Sequence, residues 1–401
     1  MDPELMKAIR KSVQSFLKWL NCYGETSYDH QTYFAGLLGG KAKALYYSVP
    51  LLGMMAVSPM IVSEALVPSA RKLFWKRQRL PIADAHYAMG HAFLARDCSG
   101  GEHYERAVHF LNVLEKTRCP NYKNFCWGYP FDWVTSSGVI PTGTPLITTT
   151  PYAYEAFLQV YQIDKKDKWL AIVRSIAEHT LRDYRDTDAM VDASASSYTP
   201  HDNDMVINAS AYRAFLLTSA GIHLGKDEYL LTAERNLRFV LQAQQPDGSW
   251  HYSANERRAF IDHFHTCFVL KALAKIDILV GHEGCRHAIA RGVDYYTRNL
   301  FDTQGLPKPF TKAPRTTVYR RELYDYAECI NLGVLLWGRF PDLDRLLVSV
   351  LDDLLSRWQK PDGSYRSREL FLGWDNVPMH RWAQSQVFRS LCFLLHQEGR
   401  G

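Results

Sequence analysis

The stretches "QQPDGSWHY" (244–252) and "QKPDGSYRS" (359–367) are two copies of one turn. In each, Pro presets φ, Asp accepts hydrogen bonds from the turn, and Gly takes the positive φ that closes it. Each copy follows a helical pattern, at 227–244 and 341–358. The two prolines, Pro246 and Pro361, lie 115 positions apart. A weaker relative, "FDTQGLPKPF" at 301–310, lies midway. The repeating unit is therefore roughly 57 residues, the size of one two-helix hairpin with its loop.

The rest of the chain keeps this beat. Apolar residues recur with helical period at about 3–21, 83–96, 103–118, 151–162, 166–183, 204–223, 227–244, 262–277, 284–299, 324–337, 341–358 and 379–396, with almost no strand-like alternation. Alternate helices are apolar on all sides and preceded by long aromatic-rich loops; their partners are amphipathic. Six hairpins whose inner helices need burial on every side close most simply into an all-α (α/α)6 toroid, with inner and outer rings and helix 3–21 as the closing member. The whole chain, 1–401, then reads as one domain. An open superhelix of helix pairs is the alternative. In a toroid the inner helices run in one sense, so their N-termini meet on one rim, where unpaired N–H groups favour anions and oxyanions.

Composition narrows the function. A 401-residue chain, 47% hydrophobic and 22% charged, suits a globular protein with a large core. A net charge of +5 without a dense Lys/Arg tract predicts no nucleic-acid partner. Aromatics at 13% suit a sugar cleft, where rings stack on sugar C–H faces, as well as a core. Eight scattered cysteines without a CxxC pair (Cys22, Cys98, Cys119, Cys126, Cys267, Cys285, Cys329, Cys392) read as reduced thiols. The opening "MDPELMKAIRKSVQSFLKWL" is an amphipathic helix pattern without a signal-peptide h-region. The expected location is the cytoplasm. One segment stands apart: "LYYSVPLLGMMAVSPMIVSEALVP" (45–68) is apolar, broken by Pro50, Pro59 and Glu64, and followed by Arg71, Lys72, Lys76, Arg77 and Arg79. It is too interrupted for a spanning helix. The reading of 45–80 is an irregular segment packed on the helices, with a peripheral contact at the inner membrane as the alternative.

Four inner helices start with polar pairs spaced i, i+3: His201/Asp204, Asp262/His265, Asp325/Glu328 and Arg381/Gln384. The other two offer Asp84 with His86 and Tyr87, and Thr149 with Tyr152. One such pair is ordinary capping. Four in register at one rim point to a site, since His, Arg, Gln and Glu cap poorly. The rim loops add aromatic surface: Trp127, Tyr129, Asp132 and Trp133 in "CWGYPFDW", then Tyr198, Trp250, Tyr252, Trp374 and Trp382. Within "IDHFHTCF" (261–268), Asp262 and His265 share one helical face, while His263 and Cys267 share another. These four cannot ligate one ion, and no metal is expected; a metal held across helices by His201, Asp204, Asp262 and His265 is the alternative. Walker A, GxGxxG and GxSxG motifs are missing, and no cofactor is expected.

The stretches "WGYPFDW", "TPLITTTPYAYEAF", "SYTPHDNDMVINASAYRA", "QQPDGSWHY", "IDHFHTCFVLKAL" and "MHRWAQSQ" together resemble, over about residues 80–397, bacterial and archaeal proteins found with exopolysaccharide or surface-glycan biosynthesis. These belong with the six-hairpin glycosidase superfamily. The resemblance implies an (α/α)6 toroid acting on an oligo- or polysaccharide, acidic or lipid-linked, and carries no catalytic assignment. The leading expectation is a glycoside hydrolase using paired carboxylates. Its candidates are Asp262, Asp204, Asp325 and Glu328, with Asp262 and Asp204 as the central pair and His265 and His201 tuning them. The alternative is a uronate lyase or C5-epimerase, with His265 or Tyr326 as base and Arg381 and His380 on the substrate carboxylate. For that reading Arg315, Arg320 and Arg321 would favour an acidic glycan. A non-catalytic glycan-binding or assembly protein is the third class.

Overall fold

The structure is a computed structural model describing residues 1–95, 101–255 and 258–399. It is an (α/α)6 toroid. Six inner helices, Pro81–Ala95, Thr150–Asp164, Ile207–Leu224, His263–Val280, Leu323–Leu335 and Ser385–Glu398, each pack on two neighbours, the last returning to the first. Their outer partners are Glu102–Lys116, Asp167–Arg182, Asp227–Gln242, Glu283–Asn299, Pro341–Asp353 and the N-terminal helix Pro3–Tyr23.

Burial follows the sequence pattern. Helix Pro81–Ala95 buries every residue but Leu94, and Ile207–Leu224 is buried without a break from Ile207 to Gly221. The outer helices bury one stripe each, as Met6, Ile9, Val13 and Phe16 do in Pro3–Tyr23. Ring closure needs a close approach. Gly90 lies so near the Phe388 ring, on the last inner helix, that an added Cβ would overlap it.

The repeated turn has a mechanical role. In the first copy, Gln244 Nε2 donates to Gly248 O (3.0 Å) and to Ala288 O (2.9 Å) of the next outer helix. In the second, Gln359 Nε2 donates to Gly363 O (3.1 Å) and to Ser12 O (3.0 Å) of Pro3–Tyr23. Asp247 and Asp362 each accept from the backbone and hydroxyl of the Ser two residues on. Gly248 (φ 92°) and Gly363 (φ 94°) sit against the carbonyls of Arg291 and Ser15, where a side chain has no room. The weaker copy places Gly305 (φ 74°) against Leu346 and Ser349 of Pro341–Asp353. Each turn thus fastens one hairpin to the next outer helix, and the last fastens the C-terminal part of the chain to the N-terminal helix.

Two expectations need correction. Helix 204–223 begins only at Ile207, leaving His201 and Asp204 in the preceding loop. The segment expected to be irregular and buried forms a regular hairpin, Leu37–Ser48 and Pro50–Leu66, joined through Val49 and closed by short turns at Pro68–Ala70 and Arg71–Phe74. It buries little: Gly39 in its first helix, and Gly53, Val57 and Glu64 in its second. Short strands also appear where rim loops pair, among them Trp133–Thr135 with Gly138–Ile140, and Ile261–Asp262 with Phe310–Lys312.

Because Gly363 combines a left-handed φ with a backbone contact to Ser15, Gly363→Ala is expected to cost at least about 2 kcal/mol in urea unfolding. Gly248→Ala should cost a comparable amount, since it occupies the same place one repeat-pair earlier.

Candidate functional site

Asp262 ends a short strand and caps helix His263–Val280: its Oδ1 accepts from His265 N at 2.9 Å. Its Oδ2 accepts from His265 Nδ1 at 2.6 Å. One carboxylate therefore fixes both the helix start and the imidazole. With Nδ1 as the donor in that bond, Nε2 is the nitrogen left to take a proton. The His265 side chain is 20% exposed, while that of Asp262 is 1% exposed. The other face of the stretch behaves as its helical phase predicts. His263 Nδ1 donates to Leu300 O (3.1 Å), its Nε2 accepts from Tyr296 OH (2.7 Å), and Cys267 Sγ reaches the same hydroxyl (3.3 Å). Burial holds His263 down to about 3.

Aromatic rings surround His265. Tyr252 and Phe264 lie 4.6 and 4.4 Å from its ring centroid, and Phe268 5.5 Å. Phe260 stacks on Tyr252 at 4.6 Å. From Phe264 the wall continues through Tyr324 (4.7 Å) to Trp382, which stacks on Tyr324 at 5.8 Å and 6°. Arg381 lies over Trp382 (3.5 Å) and Tyr129 (4.6 Å), Tyr129 meets Trp133 (5.4 Å), and Trp133 meets Tyr198 (6.1 Å). Trp133, Tyr198, Tyr252, Phe264, His265 and Trp382 are all half-buried, as the lining of a mouth should be.

Charge near His265 comes from an unexpected residue. Arg258 binds Asp204 Oδ1 at 2.6 Å, and Ser137 Oγ adds a bond at 3.2 Å to the same carboxylate. Arg258, Asp204 and Asp262 all act electrostatically on the Tyr252 hydroxyl, whose own burial raises it well above the usual phenol. Asp202 organises this loop, accepting from the backbone N–H groups of Tyr198 and Thr199 at 2.9 and 2.6 Å.

The remaining expected residues separate into groups. Glu328 is fully buried beneath the mouth, bonded to Lys271 and 4.0 Å from Arg389. Asp325 is buried too; desolvation, then Glu322, Asp262 and Glu328, push its carboxyl well above the usual range. His201 is exposed and meets Tyr122 OH (3.3 Å), so it does not tune Asp204.

Several supposed ligand contacts are structural. The indole N–H groups of Trp127 and Trp250 donate to Leu114 O and Val240 O, both at 2.9 Å, in the core. Trp374 packs on Trp358 and under Arg366. Asp132 is exposed and holds Thr142 N at 2.8 Å. Tyr326 turns outward to Asp353 (2.6 Å), which removes it as a base at the mouth. His380 is buried between Tyr87 OH (2.6 Å) and Gly24 O (3.0 Å), and Gln384 is spent on the backbone of Tyr365. Arg381 is bonded to Asp29 at 2.7 and 2.5 Å, and Arg321 is bonded to Asp302 and Glu369. Of the eight cysteines, Cys98 lies outside the described residues, and the other seven are free thiols.

No family model and no curated protein sequence matches the chain. Solved structures do. An unsaturated glucuronyl hydrolase specific for heparin superimposes with a TM-score of 0.65 at 10% identity, covering 100% of this chain and 98% of that one. Cellobiose 2-epimerase from Bacillus thermoamylovorans B4167 gives 0.63 at 8% identity, covering 80% and 88%. The polysaccharide lyase BACCELL_00875 gives 0.55 at 11% identity, covering 86% and 97%. At such identities the likeness establishes the toroid, and the three reactions differ.

Two measurements test this geometry. Glu328→Gln leaves the Lys271 ammonium buried without its counter-charge and should cost about 3–5 kcal/mol in chemical denaturation. His263 stays neutral in the fold but takes a proton near 6.5 once unfolded, so its contribution falls as pH drops from about 6.5 towards 3. Stability of the native chain should therefore fall by about 1.4 kcal/mol more per pH unit across that window than that of His263→Gln.

Proposed function

We propose that the mouth of the toroid binds a sugar and that the Asp262–His265 dyad moves a proton at one of its carbons. The reaction class is epimerisation or elimination. One observation carries this reading: a half-buried imidazole, held through Nδ1 by a buried carboxylate, stands among aromatic rings. The carboxylates expected to share a hydrolysis are committed elsewhere, Asp204 to Arg258 and Glu328 to Lys271.

In such a reaction His265 Nε2 takes the proton from the carbon next to a carbonyl or uronate carboxylate, and the C–H electron pair moves onto the oxygen as an enolate. Asp262 stabilises the imidazolium so formed and keeps its ring in place, as the carboxylate of a catalytic triad does. The centre inverts when the enolate turns its other face to the imidazolium and takes the proton back there, which restores the neutral His265. Expelling the β-oxygen leaves a double bond, the proton going to the departing hydroxyl. Arg258, paired with Asp204, brings positive charge to the Tyr252 side of the mouth. The wall of Tyr252, Phe264, Trp382, Trp133 and Tyr198 suits the apolar faces of pyranose rings. Support also comes from the neighbours, which include an epimerase and a lyase.

A hydrolase remains the second reading for one reason: burial, then Glu322 and Asp262, raise the Asp325 carboxyl well above the usual range, the direction a general acid needs.

The test is incubation with reducing disaccharides and with uronate-containing oligosaccharides in D2O. Proton transfer predicts deuterium at the reacting carbon, or an unsaturated product seen by ultraviolet absorbance. His265→Ala and Asp262→Asn should each lower that rate by about a hundredfold or more. Undiminished activity in His265→Ala rejects the assignment. New reducing ends without deuterium or unsaturation would establish hydrolysis instead, and binding without change would leave a glycan-binding protein.

A further inference from the structure

The hairpin Leu37–Ser48/Pro50–Leu66 is the largest feature the site does not use. Fifteen of the twenty-six exposed large apolar side chains of the described residues lie between Leu37 and Phe74. Leu38 is 80% exposed, Leu51 74%, Met55 73% and Leu73 85%. At 100° per residue, Leu51, Leu52, Met54, Met55, Ile61 and Val62 cover about half the circumference of their helix. That is far wider than the stripe one neighbouring helix covers.

The hairpin is nonetheless rigidly built and firmly attached. Gly53 packs against the backbone of Tyr46, so close that a Cβ would overlap it. Tyr33 OH bonds Ser63 Oγ at 2.7 Å. At its base Arg71 bonds Glu64 (2.9 and 2.6 Å) and reaches Asp375 of the rim at 2.6 Å. His30 stands 3.3 Å from Asp375 and 3.5 Å from Glu322. This apolar surface is held out from the body, which costs solubility and calls for a cover.

Charge decides the cover. From residue 31 to 83 the chain has one acidic residue, Glu64, and it is buried against Arg71. Lys41, Lys72 and Lys76 are exposed around the apolar surface. A second copy of the chain would bring these lysines towards their own kind. An anionic lipid surface satisfies both the lysines and the wide apolar arc. Length limits the depth. A 17-residue helix spans about 25 Å, short of the ~30 Å hydrocarbon core, and no single helix among the described residues is long and apolar enough to cross.

We propose that this hairpin inserts into one leaflet of an anionic membrane and docks the toroid on it. Helix Leu37–Ser48 packs on strand Trp133–Thr135, whose Trp133 belongs to the mouth. Docking therefore sets the mouth beside the bilayer. Resting on the sugar-site reading above, the substrate class this favours is a glycan carried on a lipid.

Vesicle flotation of the full chain tests the docking without any activity assay. The protein should float with vesicles in which roughly one-third of the lipid is phosphatidylglycerol, and more weakly with pure phosphatidylcholine. Leu51→Asp with Met55→Asp, both at exposed positions, should weaken binding at least about tenfold with circular dichroism and Tm unchanged. Lys41→Glu, Lys72→Glu and Lys76→Glu together should weaken binding to the anionic vesicles by about a hundredfold. The proposal fails if the native chain stays unbound with both vesicle types, or if the double aspartate variant floats as well as the native chain. It fails equally if ultracentrifugation shows a dimer that this variant splits while vesicles go unbound. Flotation that succeeds while a lipid-linked glycan in the same vesicles is neither bound nor altered would leave docking standing and reject only the lipid-linked substrate.

Discussion

A glutamine amide holds each end of the repeat in place. Gln244 and Gln359 each donate to their own turn and to a carbonyl of the next outer helix, and Gln359 finds that carbonyl at Ser12. The second clamp joins positions nearly 350 residues apart in sequence. Once Pro3–Tyr23 is fastened there, Phe16 can pack between Tyr87, Tyr365 and Phe388. The first and last inner helices can then meet at Gly90. Without closure, the first and last inner helices would expose the apolar faces that now meet, at roughly 25 cal/mol for each Å2 returned to water. The parallel N-termini that make a rim follow from the same closure.

The rim then does two things with one residue. Asp262 satisfies a helix N–H, which any good cap would do, and also fixes the His265 ring, which only a carboxylate or amide at this position can do. The helix cap and the imidazole orientation are coupled there through two oxygens of one group. Beneath it, Lys271, Glu328 and Arg389 put compensated charge into the core. Burial lowers Lys271 to about 8 even beside Glu328. The toroid hosts hydrolase, epimerase and lyase among its neighbours, so the ring does not select a reaction. The groups at its mouth do.

Much of the site was legible because helical phase is legible. The separation of Asp262/His265 from His263/Cys267 follows from 100° per residue, and the contacts to Tyr296 and Leu300 agree. Of the aromatics expected at the mouth, Tyr129, Trp133 and Tyr198 pack on one another, Trp382 on Tyr324, and Tyr252 against His265. Trp127 and Trp250 were expected with them and lie in the core instead, because an indole N–H that finds a carbonyl inside is as well placed as one at a surface, and Trp374 packs on Trp358. Composition cannot separate those cases. Arg258, Phe260 and Phe264 went unread although they immediately flank Asp262 and His265. Phe264 and Phe268 adjoin His265 in the helical pattern, a signal strong enough to have found them. Tyr326 was misassigned because its direction depends on Asp353 of the partner helix.

Sequence alone determined the repeat, the alternation of wholly and partly apolar helices, and hence the toroid, since local periodicity and turn chemistry carry that information within some 60 residues. It also singled out 45–68 as apolar and too interrupted to span a membrane, while reading it as an irregular packed segment. Tertiary structure decided which polar pairs stay open at the rim and which are spent on structural partners. A carboxylate is free or spent according to the partner that long-range packing delivers, as Arg258 reaches Asp204 and Lys271 reaches Glu328. It decided likewise that the apolar segment forms an exposed hairpin. Whether a helix face is covered depends on neighbours that the segment itself does not encode.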